Sequence, residues 1–365
     1  MRVLVCPDKF KGSLTAPEAA EALRRGIVRA MPGAEVIVHP LADGGEGSMD
    51  LLRGQAELQV RRLRVRGPLR RWITVEYLLG GGRAVIESAR ACGLQLVPPQ
   101  RRHPKNTTTI GVGMLIEDAL ARGAREVTLF LGGSATNDGG AGMAAALGYR
   151  FIGAQGEDFI PMADSLQWVD RIDGAGRLPA LAQATITAAC DVTNSLTGPE
   201  GATYSYAVQK GAAAEELADL ELGMLHFAGC IRRDLGQEVY EVPGAGAAGG
   251  LGAGAVAFLG ARLRSGTEVL FEALGVRELA EEADLIVTGE GAVDEQTLRG
   301  KLVGGVLGFG RPTVVVCGRS ALSAAALGAE EVIPLIVEGM DETRAVREAA
   351  KRVEAAIYAY LVRRQ

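Results

Sequence analysis

The chain has 365 residues, a net charge of −5 and 48% hydrophobic residues, the composition of a globular protein of two or three domains. The mildly acidic total argues against nucleic acid as the main partner, and no stretch approaches the roughly 18 apolar residues that cross a bilayer. Five scattered cysteines without a C-x-x-C pair predict reduced thiols in a cytoplasmic protein. With only three histidines, a zinc site or a Ser-His-Asp triad is disfavoured.

The predicted elements begin with a strand at Arg2–Cys6, a helix that starts after Thr15 and a second strand near Val36–Val38. The C-terminal third repeats this alternation, with strands at 285–288, 313–317 and 332–337. Apolar strands that alternate with helices predict a parallel sheet covered on both faces. We therefore expect a discontinuous, flavodoxin-like α/β domain formed by residues 1–65 and 285–365.

The middle of the chain, residues 66–284, is predicted to be a second, mixed α/β domain inserted into the first. Antiparallel strands separated by short turns open it, and further apolar strands follow near 127–130 and 184–189. The predicted helices of this part lie at 108–122, 213–235 and 247–263. The expected fold class is therefore α/β, with two α/β domains.

Charged and polar side chains follow the first strand, in the segment Pro7–Ser13. In open α/β sheets, ligands bind beyond the carboxyl ends of the strands, and N–H groups at a helix start attract anions. Asp8, Lys11 and Ser13 are therefore candidates for binding a substrate. A solvated loop that caps the next helix is the alternative.

A pair of acidic residues, Asp43 and Glu46, flanks two adjacent glycines after the second predicted strand. Mg²⁺ prefers one or two carboxylates plus phosphate oxygens, so these residues are candidates to hold it. An acidic turn that caps the following helix is the alternative.

A glycine-rich loop at 131–140 follows a predicted strand and opens a helix. Successive N–H groups in such a loop form a nest for anions, and polar side chains add donors. It is not a Walker A loop, because no G-x-x-x-x-G-K-[ST] pattern occurs in the chain. A tight strand-to-helix turn is the alternative. The candidate phosphate-binding residues are Gly132, Gly133, Ser134, Thr136, Asn137 and Asp138.

A second glycine-rich stretch, Gly244–Gly252, matches G-x-G-x-x-G. We expect a strand before it and a helix after it, the context in which this match indicates the dinucleotide site of an NAD-type oxidoreductase. Close helix packing through small residues is the alternative. Its candidate phosphate-binding residues are Gly244, Gly246, Gly249 and Gly250.

Two further polar stretches end predicted strands. Asp191 follows the strand near 184–189 and is placed to accept a proton from a hydroxyl or to hold a metal, with an Asx turn as the alternative. Glu290, Asp294 and Gln296 follow the strand at 285–288 and suit a metal, a hydroxyl or a carboxylate, with an acidic helix cap as the alternative.

These stretches, in this order, resemble the bacterial glycerate kinase family, in its glycerate 2-kinase branch. The matching motifs run from residue 7 to about 301 and are PDKFKGSLTA, ADGGEGS, LGGSATNDGGAGM, ACDVTNSLTG, QKGA, PGAGAAGGLGAG and TGEGAVDEQT. The resemblance implies an enzyme that uses ATP and Mg²⁺ to phosphorylate D-glycerate, usually at the 2-hydroxyl, with the active site in the cleft between two α/β domains. It implies glycerate as the small-molecule partner and allows for a homodimer, and the charge and hydropathy of the chain predict neither a nucleic-acid nor a membrane partner.

On this basis we assign roles as a hypothesis. Phosphoryl transfer requires positioning, neutralisation of phosphate charge and a group that accepts the hydroxyl proton. The base is Asp191 or Asp294, a choice that the sequence leaves open. The other assignments are phosphate binding by the two glycine-rich loops, Mg²⁺ binding by Asp43 and Glu46, positive charge from Lys11 and Lys210, and substrate binding by Asp8, Ser13, Lys210, Glu290 and Gln296.

The chain departs from the family pattern at three positions that usually carry arginine: Ala292, Ile110 and Tyr204. Arginine makes bidentate contacts with phosphate and carboxylate that these side chains do not make. One alternative is therefore a catalytically impaired family member that binds a hydroxy acid or a nucleotide. A second alternative, based on the G-x-G-x-x-G match at Gly244–Gly249, is a dinucleotide-binding oxidoreductase.

Overall fold

The computed structural model describes residues 1–45, 47–55, 57–295, 297–299, 302–336, 340 and 342–364. By its internal contacts the chain divides into two compact units. Unit 1 consists of Met1–Asp43 and Thr267–Gln365, and unit 2 of Gly44–Gly266. None of the helices in the described ranges has the length and apolar character needed to span a bilayer.

Strands and helices are numbered here in chain order. The strands are β1 Arg2–Val5, β2 Glu35–Val38, β3 Gln59–Arg66, β4 Trp72–Gly80, β5 Arg83–Glu87, β6 Glu126–Phe130, β7 Arg150–Gly153, β8 Asp158–Phe159, β9 Val169–Asp173, β10 Thr185–Ala189, β11 Arg262–Arg264, β12 Leu285–Val293, β13 Thr313–Ser320 and β14 Glu331–Pro334. The helices are α1 Ala16–Ala30, α2 Ser48–Leu51, α3 Ala89–Cys92, α4 Ile110–Ala121, α5 Ala141–Ala146, α6 Ala202–Tyr206, α7 Leu217–Leu235, α8 Ala247–Leu259, α9 Gly266–Leu274, α10 Val276–Glu281, α11 Leu302–Leu307, α12 Ala324–Leu327, α13 Glu342–Arg347 and α14 Ala349–Arg364.

Unit 1 contains a five-stranded sheet in the order β14-β13-β12-β1-β2, and all its neighbouring strands are parallel. Counted within the unit, this order is 2-1-3-4-5, as in flavodoxin-like folds, and the predicted fold class is confirmed. Because side chains alternate along a strand, Val3 and Val5 face the core that includes α1 and α14, while Leu4 and Cys6 face the opposite layer. The carboxyl ends of parallel strands meet at one edge, where the segment after β1 lies.

Unit 2 contains a six-stranded mixed sheet in the order β11-β10-β6-β5-β4-β3. Its strands β5, β6, β10 and β11 run parallel, whereas β3 and β4 form antiparallel pairs as predicted. A separate antiparallel sheet, β8-β7-β9, packs its Phe151 with Phe227 of α7 and Phe258 of α8. The loop that leaves β6 is the first glycine-rich loop.

The bounds of the compact units differ from the predicted domain bounds after residues 65 and 284. β3 pairs along its whole length with β4, so it lies in the sheet of unit 2. Conversely, Phe271 of α9 and Val276 of α10 are buried in the same core as Leu4 and Ile286, so this segment lies in unit 1. The chain therefore passes from unit 1 to unit 2 between residues 43 and 44, and it returns to unit 1 between residues 266 and 267.

Two elements differ from the sequence-based expectation. β12 continues through Val293, beyond the predicted end of this strand at residue 288, because Ala292 and Val293 pair with β13. The helix predicted over 247–263 ends at Leu259, and Arg262–Arg264 instead form the edge strand β11, which pairs in parallel with β10. In both cases pairing with a neighbouring strand overrides the local preference.

The predicted start of α1 is confirmed in detail. The Thr15 hydroxyl accepts the N–H of Glu18 at 3.4 Å, and the Glu18 carboxylate accepts the N–H of Thr15 at 2.8 Å. This reciprocal capping box satisfies two of the N–H groups that a helix start leaves without partners.

The two glycine-rich loops of unit 2 pack backbone against backbone. Gly249 has a φ of +72°, and a Cβ built on it would lie 1.9 Å from the carbonyl oxygen of Thr136. Gly139 donates its N–H to the carbonyl of Gly249 at 3.2 Å. A Cβ on Gly254 would lie 2.6 Å from the carbonyl oxygen of Gly139. Glycine is therefore required at this contact for both space and conformation.

We expect Gly249→Ala to lower the free energy of unfolding by about 3 kcal/mol or more, because a left-handed backbone costs alanine about 1–2 kcal/mol and the overlap with Thr136 adds to it. Gly260→Ala is the matched control, since Gly260 has a φ of +64° but open space at its Cβ position. The control should lose only about 1–2 kcal/mol. Urea unfolding measures both; equal losses would contradict a steric role for the contact.

Candidate functional site

In unit 1, acidic residues gather at the carboxyl edge of the sheet. Asp8 follows β1, is 8% exposed, and donates its backbone N–H to Gly289 at 2.8 Å. Burial, together with the negative charges of Asp43 and Glu290, raises the pKa of Asp8 to about 7, against the opposing charge of Lys9. The Lys9 ammonium lies 3.5 Å from the Asp43 carboxylate. The structure thus brings together Asp8, Asp43 and Glu290 as predicted site residues.

Thr297 connects Glu290 with the segment around Asp294. Its hydroxyl donates to Glu290 Oε1 at 2.8 Å and accepts the N–H of Asp294 at 3.2 Å. Glu290 is buried, and Asp294 is half-buried. Two further predicted residues of these stretches, Glu46 and Gln296, lie outside the described residues.

Lys11 and Ser13 lie in a tight turn that joins β1 to α1. Phe10 and Leu14 pair across this turn, and the hydroxyl and N–H of Ser13 both donate to the Phe10 carbonyl, at 3.1 and 2.8 Å. Lys11 is exposed. A Cβ on Gly291 would lie 3.1 Å from the backbone nitrogen of Lys11, so the turn runs alongside β12.

The carboxylates at this edge of the sheet fit Mg²⁺ only as a partial ligand set that water and phosphate oxygens would complete. Across the described ranges, no group of three or more His, Cys, Asp or Glu side chains is arranged to hold a metal ion. Mg²⁺ does not need such a cage, because it commonly takes one or two carboxylates and completes its shell with water and phosphate oxygens. The repulsion that raises the pKa of Asp8 beside Asp43 is the condition under which a divalent cation is favourable.

In unit 2, the first glycine-rich loop closes over the ammonium group of Lys210. Lys210 is 3% exposed, and its Nζ donates to the Ser134 hydroxyl at 3.1 Å and to the Thr136 carbonyl at 2.7 Å. Burial lowers the pKa of Lys210 to about 8, while the charge of Asp138 opposes this shift. The structure thus joins Lys210 to the loop, although the two are more than 70 residues apart in the chain.

Asp138 is fully buried and holds the same loop from within. Its carboxylate accepts the N–H and the hydroxyl of Thr109 at 2.8 and 2.9 Å, and the N–H of Gly140 at 3.2 Å. Burial raises the pKa of Asp138 above its usual value, although these hydrogen bonds oppose the shift. Thr136 and Asn137 are also fully buried, and Asn137 donates to the Thr203 hydroxyl at 3.3 Å. These three polar side chains shape the loop from its inner side.

The second glycine-rich stretch follows irregular backbone, because residues 236–246, all of which are described, form no strand. The expected context of a dinucleotide fingerprint is therefore missing. Gly246 donates its N–H to the Asn194 carbonyl at 3.0 Å, and Gly249 and Gly250 approach Thr136 and Gly139. This geometry supports the alternative of close packing through small residues.

Asp191 is half-buried and follows β10, as predicted. Its Oδ1 accepts a hydrogen bond from the Ser265 hydroxyl at 2.7 Å. The following Asn194 donates to the Glu200 carbonyl at 2.6 Å and accepts from the Tyr206 hydroxyl at 2.6 Å. Asp191 lies in unit 2, whereas Asp294, the other candidate for the catalytic base, lies in unit 1.

Several residues that shape these sites were missed from the sequence. Glu87, at the end of β5, is buried and accepts the N–H groups of Gly47 and Met49 at 3.2 and 3.4 Å, which fixes the loop before α2. An acid that ends an apolar strand is a signal that could have identified it. Ser265 and Thr297 carry no comparable signal, because their partners are set by tertiary structure.

The three departures from the family pattern lie in different surroundings. Ile110 is half-buried at the start of α4, directly after Thr109, which binds Asp138. Ala292 is exposed on β12, two residues after Glu290. Tyr204, on α6, is 42% exposed.

Comparison with known proteins places the chain in one family. The model of the Glycerate kinase family matches residues 3–363. A glycerate kinase of Halalkalibacterium halodurans is 43% identical over 322 residues, covering 87% of this chain and 85% of the relative. A glycerate 2-kinase of Escherichia coli K12 is 40% identical over 324 residues, with the same coverage. A crystal structure described as glycerate kinase 2 from Salmonella typhimurium LT2 has a TM-score of 0.85 and 38% identity, covering 100% of this chain and 98% of its own. The resemblance of the motifs is confirmed, and the chain is an enzyme that belongs to the glycerate kinase family.

Proposed function

We propose that this enzyme transfers the γ-phosphoryl group of ATP to a hydroxyl of D-glycerate, with 2-phosphoglycerate as the product. Beyond family membership, the proposal rests on one observation: the buried ammonium of Lys210 is held under a glycine-rich loop by Ser134 and Thr136. A fixed cation beside a loop rich in N–H groups stabilises the charge of a transferring phosphoryl group. With a pKa of about 8, Lys210 is mostly charged at neutral pH.

Asp191 or Asp294 accepts the proton of the attacking hydroxyl in this proposal. Asp191 is oriented by a hydrogen bond that its Oδ1 accepts from the Ser265 hydroxyl at 2.7 Å. Asp294 is positioned through its backbone by Thr297. A base needs hydrogen-bond reach to the substrate hydroxyl, and a half-buried carboxylate in either position supplies an acceptor.

Asp43 and Asp8 would hold Mg²⁺, with Glu46 as the further predicted ligand outside the described residues. When bound, the cation supplies charge neutralisation to the phosphate oxygens. Glu290, whose carboxylate accepts a hydrogen bond from the Thr297 hydroxyl, would orient hydroxyl groups of the substrate. An active site shared by the two units, a homodimer and a cytoplasmic location stay predictions.

A coupled ADP-release assay over D- and L-glycerate and a panel of three- and four-carbon hydroxy acids tests the proposed reaction. We expect D-glycerate to give the highest kcat/KM. Phosphorus NMR of the product should show a doublet, because the phosphate of 2-phosphoglycerate is attached to a carbon with one hydrogen. A triplet would assign the 3-hydroxyl instead. Binding of a hydroxy acid or ATP without ADP formation would support the catalytically impaired alternative. Turnover of NADH would support the oxidoreductase alternative.

The choice of base is tested by Asp191→Asn and Asp294→Asn in parallel. If Asp191 is the base, Asp191→Asn should lower kcat by about two orders of magnitude or more, and Asp294→Asn should stay within about threefold. Ser265→Ala should give an intermediate loss, since it removes the hydrogen bond that orients Asp191. Melting temperatures of all three serve as the control for folding. A mild effect of Asp191→Asn with a severe effect of Asp294→Asn would reverse the assignment.

The proposed cation site predicts a pH-dependent stability. The folded-state pKa of Asp8, about 7, lies above its ordinary value of 3.8, so the stability contributed by its protonated form is lost as pH rises from about 4 through 7. Between pH 5 and 8 without divalent cations, the free energy of unfolding should fall by roughly 2 kcal/mol more in the wild type than in Asp8→Asn.

Adding Mg²⁺ at pH 8 should restore stability to the wild type more than to Asp8→Asn, because the cation favours the ionised carboxylate. Urea unfolding at both pH values, with and without Mg²⁺, measures these differences. Identical pH dependence in the two proteins would show that Asp8 titrates normally, and an identical Mg²⁺ response would remove Asp8 from the cation site.

A further inference from the structure

An apolar pocket of about 480 Å³ lies in unit 2 beside α7 and has no role in the mechanism above. It is lined by Thr197, Gly198, Pro199, Tyr204, Glu221 and Leu225. Tyr204 and Leu225 leave 42% and 38% of their surface exposed. An aromatic and an aliphatic side chain that border one pocket favour a flat, apolar ligand group.

One buried carboxylate interrupts the apolar lining. Glu221 is 5% exposed, and its Oε1 accepts the N–H of Gly198 at 2.6 Å. Its Oε2 is buried and has no hydrogen-bond partner in the part of the chain that the structure describes. A buried carboxylate oxygen without a donor is unfavourable, so a ligand group that donates a hydrogen bond there gains binding energy.

The pocket lies close to the two glycine-rich loops. Met224 lies one turn of α7 after Glu221, and its side chain is 3.4 Å from the Cβ position of Gly139 and 3.3 Å from that of Gly250. On the other side, Thr203, the neighbour of Tyr204, accepts a hydrogen bond from Asn137 of the first loop at 3.3 Å. Met224, which contacts both loops, thus lies about one helical turn from Glu221, which lines the pocket.

We propose that this pocket binds the base of the phosphoryl donor, an aromatic heterocycle with an exocyclic amino group, as adenine has. The ring lies against Tyr204 and Leu225, and the amino group donates to Oε2 of Glu221. This inference rests on the proposed function, because it takes the phosphates of the nucleotide to lie on the glycine-rich loops. It adds a residue that selects the donor.

The family pattern suggests a competing explanation for the buried Oε2 atom of Glu221 that has no hydrogen-bond partner in the described part of the chain. An arginine usually stands at the position of Tyr204, and its loss would by itself leave Glu221 without a cationic partner. The variant Tyr204→Arg separates the two accounts, because a guanidinium there would pair with Glu221 and fill the pocket. If the pocket binds the base, this variant should raise the KM for ATP about tenfold or more. An unchanged KM with a higher melting temperature would support the competing account and overturn the proposal.

The test compares ATP with ITP, whose base carries a carbonyl oxygen where adenine carries the amino group. In the wild type we expect a KM for ITP at least about tenfold above that for ATP. Glu221→Gln keeps the acceptor for Gly198 but presents an amide donor, so the ratio should fall to about one or invert. Asp219→Asn, an exposed carboxylate on the same helix, is the matched control and should keep the wild-type ratio. The KM for glycerate should not change in any of these variants.

Adenosine without phosphates provides a readout independent of turnover. Ligand-observed NMR should detect its binding to the wild type and to Asp219→Asn, with at least about a tenfold weaker affinity in Glu221→Gln and in Tyr204→Ala. Kinase activity with equal ATP and ITP constants and no effect of Glu221→Gln would overturn this inference and leave the proposed function intact. Adenosine binding that depends on Glu221, in a protein that phosphorylates no hydroxy acid, would support the pocket and contradict the proposed function.

Discussion

The buried ammonium group of Lys210 sets the conditions that the rest of unit 2 has to meet. A charge removed from water is costly unless every donor finds an acceptor, and here the Ser134 hydroxyl and the Thr136 carbonyl provide two. The same Thr136 carbonyl lies against Gly249, where even a methyl group would not fit. Packing of the second glycine-rich stretch thus fixes the Thr136 carbonyl of the first loop, and this carbonyl holds Lys210. The two stretches, although distant in the chain, therefore form one structural unit.

Within a glycine-rich motif, some residues determine the shape of the loop and others supply the groups proposed to bind the ligand. Asp138, Thr136 and Asn137 are fully buried. Asp138 accepts a hydrogen bond from Thr109, and Asn137 donates one to Thr203, and both partners lie in neighbouring segments. They determine the shape of the loop, while the backbone N–H groups and Lys210 remain as the chemistry proposed for phosphate. Motif membership therefore identifies the region of a site more reliably than the individual contacts.

The sequence predicted the alternation of strands and helices in unit 1, because apolar runs and the cap at Thr15 are local signals. The bounds of the compact units differ from the predicted domain bounds, since whether β3 joins one sheet or the other depends on its partner β4 and not on its own residues. Contacts in the site were equally hidden: Ser265 is 74 residues from Asp191, and Glu221 is 23 residues from Gly198. Hydrogen bonds of this range follow from tertiary packing, which one sequence does not encode in any local pattern.

The extension of β12 beyond its predicted end has an evolutionary consequence. Glu290 and Ala292 share one face of this strand because side chains alternate with a period of two, and pairing with Cys317 and Arg319 of β13 fixes their register. Replacing a side chain leaves that register intact, so position 292 can carry alanine or arginine without any change in the pairing of β12 with β13. Inserting or deleting one residue between Gly289 and Gly291 would instead turn the following side chains to the opposite face. This segment of the family should therefore vary in composition while its length stays constant.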